Sequence, residues 1–418
     1  MIEVQIPSPA LNLRFKSHSH ILLIGDTIPD FYYFGVRLQK KLTAIKNRKD
    51  ISQHNKNKIL AFQKTCLAQG LSTARALRYL NDLPVIASKL KKDFEKATKK
   101  DIEAIIADIE ATDKAHATKL SYAITLKKFY KWLNGGDEYP ISVRWLRTTD
   151  KKNNKKLPED LLTEDEIKKM IETANNPRDR TLISTLWEAG CRVGEILSMQ
   201  IKHVAFNNDI TRITIQGKTG MRRIPLIDST PYLAEWVENY PLKNNPNAPL
   251  WISIGTTNRN QSLQYYACRK MLQEIGKKAG IKKDINPHNF RHSRATFLAN
   301  RFTEAQMNEY FGWIQGSDIP QVYVHLSGRD LDDAVLTLRG MKPKEEKKEE
   351  TLAPKKCTRC GTINKSTGKF CTRCGAVLDL ETAIAMEDKM KGLDEKLSSL
   401  LDDKEVKTLL IEKLKTMN

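Results

Sequence analysis

The chain has 418 residues and a mass of 47.8 kDa, which is too much for one ordinary hydrophobic core, so we expect two or three domains. Its formal net charge of +20 favours a polyanionic partner; the alternative is a basic surface that serves solubility. The apolar runs are far below the roughly 20 residues that cross a bilayer, and no signal-peptide pattern opens the chain. We therefore expect a cytoplasmic protein without membrane contact.

Helical patterning dominates the first third of the chain. It is clearest from Lys119 to Leu133, where aromatic and leucine side chains share one stripe and lysines cover other faces. Thr98 is a predicted N-cap, and Pro84 is expected to end a helix. We assign residues 1–50 to an N-terminal extension with one helix and residues 51–148 to an all-α domain. Its other predicted helices are Ser52 to Ala68, Thr73 to Asp82 and Asp101 to Ile109.

A polar, basic stretch, DKKNNKK, separates this unit from the next and predicts a linker at 149–156. Residues 157–340 then mix helices with a small antiparallel sheet, a mainly α-helical α+β pattern. Thr163 and Glu166 form a predicted capping box at the start. Further helices are expected at Arg178 to Ala189 with Gly190 as its stop, from Pro287 with Asn286 as its cap, and from Thr303 with Gln306 completing a capping box. Two strands are expected at Thr211 to Gln216 and Arg222 to Ile227, joined as a hairpin by the GKTG turn.

The C-terminal part begins with a second charged linker at 341–354. Within 355–378, two Cys-x2-Cys pairs separated by ten residues predict a structural Zn²⁺ ribbon; a pair of disulfides is the alternative. The tail, 379–418, keeps helical spacing and is expected to pair with a partner helix or to dock on its own chain. The predicted metal ligands are Cys357, Cys360, Cys371 and Cys374.

The residues that indicate a chemical function are a set of cationic and aromatic side chains in the second predicted domain. It lies in the segments AGCRVGEIL, QGKTGMRRIPL, PHNFRHS, YFGW and VYVHLSG. In order and local context these segments resemble the tyrosine recombinases of the phage integrase and Xer type, and the YVHLSGRDLDDA run is most similar to archaeal members. The resemblance covers roughly residues 20 to 340. The site residues it implies are Arg192, Lys218, His288, Arg291, Trp313 and Tyr323.

Arginine suits the non-bridging oxygens of a phosphodiester, because its planar fork donates two parallel bonds and stays charged. Arg192 and Arg291 are therefore predicted to clamp the phosphate from two directions, and Glu195 to orient Arg192. The resemblance makes Lys218 the general acid for the leaving 5′ oxygen, although Lys202 and Arg222 lie nearby. It also selects His288, one helical turn before Arg291, which could accept the tyrosine proton or hydrogen-bond the phosphate, and it leaves His292 as a structural histidine.

The nucleophile implied by the resemblance is Tyr323, which follows the FGW segment; Tyr310 is expected in the core. Relatives often carry a histidine where Trp313 stands, and an indole N–H can only donate. Phosphotyrosine chemistry of this kind needs neither ATP nor a catalytic metal. The segment after Tyr323 is expected to form a short helix on a neighbouring subunit.

The resemblance implies a core-binding (SAM-like) first domain and a site-specific recombinase that cleaves and rejoins double-stranded DNA through a 3′-phosphotyrosyl intermediate and a Holliday junction. A homotetramer on a specific recombination site, associated with the nucleoid, is then expected. Two alternatives remain: a catalytically silent DNA-binding protein of the same fold, and a type IB topoisomerase-like activity.

Overall fold

The computed structural model describes residues 32–149, 158–207, 210–217, 220–256, 258–299, 301–317, 319–326, 339 and 351–402. The predicted linker from Asp150 to Lys156 lies outside these residues. So does the segment that is expected to form a short helix after Tyr323, of which only Arg339 is described. Among the described helices, none is long and apolar enough to cross a membrane.

The first folded unit is helical and has its own core. Phe62, Phe94 and Phe129 lie at its centre, in edge-to-face contact with centroids of Phe62 and Phe94 5.2 and 4.6 Å from that of Phe129. Thr98 caps its helix, as predicted, and Asp101 completes a capping box there. The helices are α1 Phe34–Asn47, α2 Gln53–Ala68, α3 Thr73–Leu90, α4 Lys99–Glu110, α5 His116–Leu133 and α6 Ile141–Arg144.

One boundary prediction for this unit is wrong. Helix α3 continues past Pro84 to Leu90, because burial of Leu83, Ile86 and Leu90 outweighs the roughly 3 kcal/mol that an interior proline costs. Helix α1 is the one helix expected within residues 1–50, and its Leu38 side chain is buried in the same core.

The second unit joins helices to one three-stranded antiparallel sheet in the order β1-β2-β3. Strands β2 and β3 form the predicted hairpin, with Gly217 opposite Gly220; β1 was not predicted. The elements are α7 Glu164–Thr173, α8 Pro177–Ala189, α9 Val193–Leu197, β1 Val204–Asn207, β2 Ile210–Gly217, β3 Gly220–Leu226, α10 Thr230–Glu238, α11 Tyr265–Lys278, α12 Pro287–Ala299, α13 Glu304–Phe311 and α14 Ile319–Leu326.

Local signals at the helix ends of this unit are confirmed. Thr163 and Thr303 each form a capping box, with Glu166 and Gln306 respectively. Asn286 accepts the backbone N–H of Asn289 at the start of α12. Helix α8 is buried along its length, from Arg178 to Ala189, and contacts α7, α10, α12 and β3. It is the central element around which the site is assembled.

The C-terminal unit contains the paired strands β4 Lys355–Lys356 and β5 Ile363–Asn364, followed by α15 Leu380–Asp402. It contacts α10: the Tyr232 hydroxyl lies 3.1 Å from that of Thr367, and Lys365 pairs with Glu235. Leu352 is buried in the core of the second unit, so the predicted linker at 341–354 ends in an anchored residue.

Candidate active site

The site begins where α8 ends. Gly190 terminates α8 in the left-handed conformation, with φ of 55°, and a Cβ there would lie 2.5 Å from the Phe311 ring. Glycine therefore allows the close approach of α13 as well as the turn. Cys191 follows, and Arg192 lies at the N-cap of α9.

Arg192 is held by a buried carboxylate that it shares with a second arginine. Glu195 accepts Arg192 Nη1 at 2.9 Å and Arg222 Nη2 at 2.7 Å. Burial alone would raise the pKa of Glu195, but the bonds and charges of the two arginines outweigh it and leave the pKa below its usual value. The contact with Glu195 orients the Arg192 guanidinium. Because the Arg192 side chain stays 36% exposed, that guanidinium is also accessible to a phosphate. The predicted role of Glu195 fits this geometry.

Arg291 is anchored differently. It is 4% exposed, and it donates to the carbonyl oxygens of Gly190 at 3.0 Å and Phe311 at 2.8 Å. Burial, followed by the nearby charge of Arg192, lowers the pKa of Arg291 to about 10, so it remains charged at neutral pH. The two predicted clamp arginines therefore lie close enough to influence each other.

Aromatic rings connect Arg291 to the predicted nucleophile. Trp313 stacks between Phe311 and Tyr323, with ring centroids 4.8 and 5.4 Å away and the Tyr323 ring inclined by only 6°. The Arg291 guanidinium lies over the Phe311 and Trp313 rings at 5.2 and 5.5 Å. Trp313 thus fixes the plane of the Tyr323 ring by stacking.

The Tyr323 hydroxyl meets a histidine other than the predicted one. Its Oη lies 2.7 Å from Nδ1 of His292, and the His288 ring packs against that of His292 at a centroid distance of 4.7 Å. Burial raises the pKa of Tyr323, while the charge of Arg291 acts to lower it. The structure therefore places His288 beside His292, and it is His292 that contacts the Tyr323 hydroxyl directly.

Lys218 lies outside the described residues, so its role stays a prediction. The strands on either side of it are described: β2 ends at Gly217 and β3 begins at Gly220. A Cβ on Gly217 would lie 2.9 Å from Glu195 Oε1. The end of β2 therefore abuts the carboxylate that holds Arg192.

Sequence reasoning missed two residues of this site. Arg222 was only a cation easily confused with Lys218, yet it is buried and bonds Glu195 and, through Nε, the Tyr310 carbonyl. His292 was interpreted as structural. Its signal was the four-residue spacing from His288, which puts both rings on one face of α12.

The four predicted metal ligands form a separate cluster. Their Sγ atoms all lie within 4.8 Å of one another, and Cys357–Cys374 and Cys360–Cys371 are each 3.6 Å apart. Tetrahedral Zn²⁺ with Zn–S of roughly 2.3 Å needs sulfur separations of about 3.8 Å. The donor set and its spacing are compatible with a structural zinc ion.

Residues 160–329 match the phage integrase family. Tyrosine recombinase XerA of Pyrococcus horikoshii is 30% identical over 189 residues, which cover 44% of this chain and 65% of that protein, so the match spans less than two thirds of the relative.

Two solved structures share the fold. A XerH site-specific recombinase bound to palindromic difH substrate has a TM-score of 0.51 at 20% identity and covers 74% of this chain and 96% of that one. A lambda integrase tetramer bound to a Holliday junction has a TM-score of 0.50 at 18% identity and covers 66% and 82%. The converging motif residues, the family match and the shared fold together place residues 160–329 in the phage integrase family.

Proposed function

We propose that this protein is a site-specific DNA recombinase that cuts and rejoins strands through Tyr323. The observation that carries the proposal is the convergence of Tyr323 with a buried and a half-exposed arginine, through the stack of Phe311 and Trp313. A phosphoryl group in transfer is stabilised by such fixed cations. Neither an architectural protein nor a silent DNA binder requires this arrangement.

In the proposed reaction, Arg192 and Arg291 bind the non-bridging oxygens and Tyr323 Oη attacks phosphorus. A bond forms between Oη and phosphorus while the bond to the 5′ oxygen breaks, and Lys218 protonates that oxygen. The 3′-phosphotyrosyl product keeps the bond energy, so attack by a free 5′ hydroxyl reseals the strand without ATP. Exchange between two duplexes passes through a Holliday junction.

The helical domain is proposed as the core-binding (SAM-like) half of a clamp on double-stranded DNA. On one side of it, Lys127 Nζ and Lys131 Nζ each lie 5.1 Å from the ring centroid of the exposed Tyr139. Phosphate contacts from such lysines would give a salt dependence with a slope of about −0.9 per neutralised phosphate.

A homotetramer at the nucleoid is proposed, and a lambda integrase relative forms a tetramer on a Holliday junction.

Covalent capture tests the function and at the same time finds the DNA site. Genomic fragments from the source organism are incubated with the protein, free DNA is removed by denaturing wash, and the attached DNA is sequenced. We expect one recurrent sequence, attached through Tyr323 and absent with Tyr323→Phe. Tyr266→Phe, at an exposed tyrosine of α11, is the matched control and should behave as wild type.

The same assay separates the alternatives. No adduct from wild type with any fragment would leave only the silent DNA-binding protein. Adducts without sequence preference, with relaxation of any supercoiled plasmid, would favour the topoisomerase. Recombinant products between two plasmids that carry the captured sequence would be specific to a recombinase.

We further propose that Cys357, Cys360, Cys371 and Cys374 bind one structural Zn²⁺. The two halves repeat the same turn: Gly361 and Gly375 each donate a backbone N–H to the carbonyl of the first cysteine of their pair, at 2.9 Å. Four protein thiolates leave no open coordination position for a substrate. Native mass spectrometry should find one zinc per chain and none in Cys371→Ser; freshly purified, reduced wild type without zinc would contradict the proposal.

A further inference from the structure

His292 makes the most direct contact with the reactive atom of Tyr323. Helix α12 presents His292 one turn after His288, and α14 packs on α12 and carries Tyr323. Nδ1 of His292 and Oη of Tyr323 are 2.7 Å apart, within the usual range for a strong hydrogen bond. The phosphate-clamp arginine Arg291 is the immediate neighbour of His292 in sequence.

This hydrogen bond suits proton transfer in the tautomer of His292 that carries its ring proton on Nε2. Burial raises the pKa of Tyr323 above that of an ordinary tyrosine. The protonated phenol is therefore favoured, and in that tautomer its O–H donates to Nδ1 of His292. The contact is poised for proton transfer from tyrosine to histidine.

Given the proposed function, on which this inference rests, we propose that His292 is the general base that takes the Tyr323 proton as Oη attacks the phosphodiester. The Oη lone pair forms the bond to phosphorus, the Oη–H pair stays on oxygen, and the proton moves to Nδ1. The bond between phosphorus and the 5′ oxygen breaks, and Lys218 supplies that oxygen's proton. On religation the imidazolium returns its proton to Tyr323.

Two further contacts support a fixed geometry for this step. Trp313 stacks on the Tyr323 ring and restricts its rotation. On the other side, the His288 ring lies edge-to-face against His292 at an interplanar angle of 79°. His292 is thus held between its neighbour on α12 and the nucleophile on α14, as a general base must be held within hydrogen-bond reach of the proton it accepts.

The test uses the full chain and a nicked suicide duplex that carries the sequence recovered by covalent capture. Single-turnover adduct formation is compared for wild type, His292→Ala and His292→Asn. Asparagine keeps an acceptor near the position of Nδ1 but cannot take the proton. We expect both variants to be slower by roughly 10²- to 10⁴-fold, the usual contribution of one positioned base. Added imidazole should accelerate His292→Ala and leave wild type unchanged.

A second duplex, with sulfur replacing the bridging 5′ oxygen at the scissile phosphate, locates the missing proton transfer. A thiolate leaves without protonation, so this duplex should restore Lys218→Ala but not His292→Ala. Wild-type rates for His292→Asn, or recovery of His292→Ala on the sulfur duplex, would overturn the role as base. Unchanged thermal midpoints and DNA affinity show that the variants fold.

The two levels of the proposal fail in different ways. If wild type forms no adduct, the recombinase proposal falls. If wild type forms the adduct and His292→Ala forms it at the same rate, the recombinase proposal stands and the role of His292 falls.

Discussion

The helical domain and the second folded unit each bury a carboxylate to a similar extent, but the pKa values of the two carboxylates are shifted in opposite directions. Asp82 in α3 is 7% exposed and Glu195 in α9 is 6% exposed. Asp82 accepts the hydroxyls of Ser121 and Thr125, and burial raises its pKa. Glu195 faces two guanidinium groups, and its pKa is lowered despite equal burial.

The two opposite shifts follow from the groups that surround each buried carboxylate. Hydroxyls satisfy the lone pairs of Asp82 but bring no positive charge, so its ionised form remains costly. The arginines around Glu195 keep it ionised, and a fixed anion can in turn hold Arg192 at the proposed phosphate site. Burial of Glu195 and Arg222 costs desolvation free energy, and the ion pair that offsets this cost also fixes Arg192 in position.

The largest effect is expected for Glu195→Gln. Loss of the anion leaves the buried Arg222 and the half-buried Arg192 unpaired, and breaking such a network costs roughly 3–5 kcal/mol. Adduct formation should also fall by more than tenfold because Arg192 loses its orientation. Hydrogen exchange of the α8 amides in the full chain measures the loss of local stability.

The pH dependence of that loss checks its cause. Because the folded pKa of Glu195 is depressed, its stabilisation is complete above the unfolded pKa, about 4.3, and disappears as pH falls through the folded value. The difference between wild type and Glu195→Gln should therefore shrink in acid. A difference that stays constant from pH 7 to pH 3 would show that the charge is not responsible.

A smaller loss, about 1–3 kcal/mol, is expected for Arg222→Lys. Lysine keeps the charge but cannot bond Glu195 and the Tyr310 carbonyl together as the planar fork does. Arg223→Lys, at the exposed neighbour on β3, is the matched control and should be neutral. Equal thermal midpoints for the two variants would argue against a special role for Arg222.

Asp82→Asn should have the opposite sign. The folded pKa of Asp82 is raised, so its favourable contribution exists below the unfolded pKa and is lost as pH rises through the folded value. Removing the charge is thus expected to stabilise α3 and α5 at pH 8, by up to about 1 kcal/mol, and to matter less at pH 4. Exchange of their amides measures this; destabilisation that is larger at pH 8 would contradict it.

The smallest effect is expected where a carboxylate is paired but exposed. Asp108 lies 3.0 Å from Lys89 and its side chain is 62% exposed. Asp108→Asn should change stability by less than about 1 kcal/mol, as exposed ion pairs do. An effect as large as that of Glu195→Gln would mean that burial does not separate the two kinds of pair.

Elements with strong local signals were predictable from sequence. Capping boxes at Thr98, Thr163 and Thr303, and the glycine after Ala189, are short-range devices whose partners lie within one turn. The run through Pro84 was not predictable in this way. Its cause is burial against other helices, which local propensity does not contain.

For the candidate site too, one part could be predicted from the sequence and another part could not. The sequence by itself determined the residue types and the motif order, because arginine forks suit phosphodiester oxygens, a tyrosine hydroxyl can act as nucleophile, and the motif segments carry both at recognisable spacings. The tertiary structure decided which neighbours these residues meet. Only it places Arg222 behind Glu195 and His292, rather than His288, on the Tyr323 hydroxyl, because those contacts join segments that lie 27 and 31 residues apart in the chain.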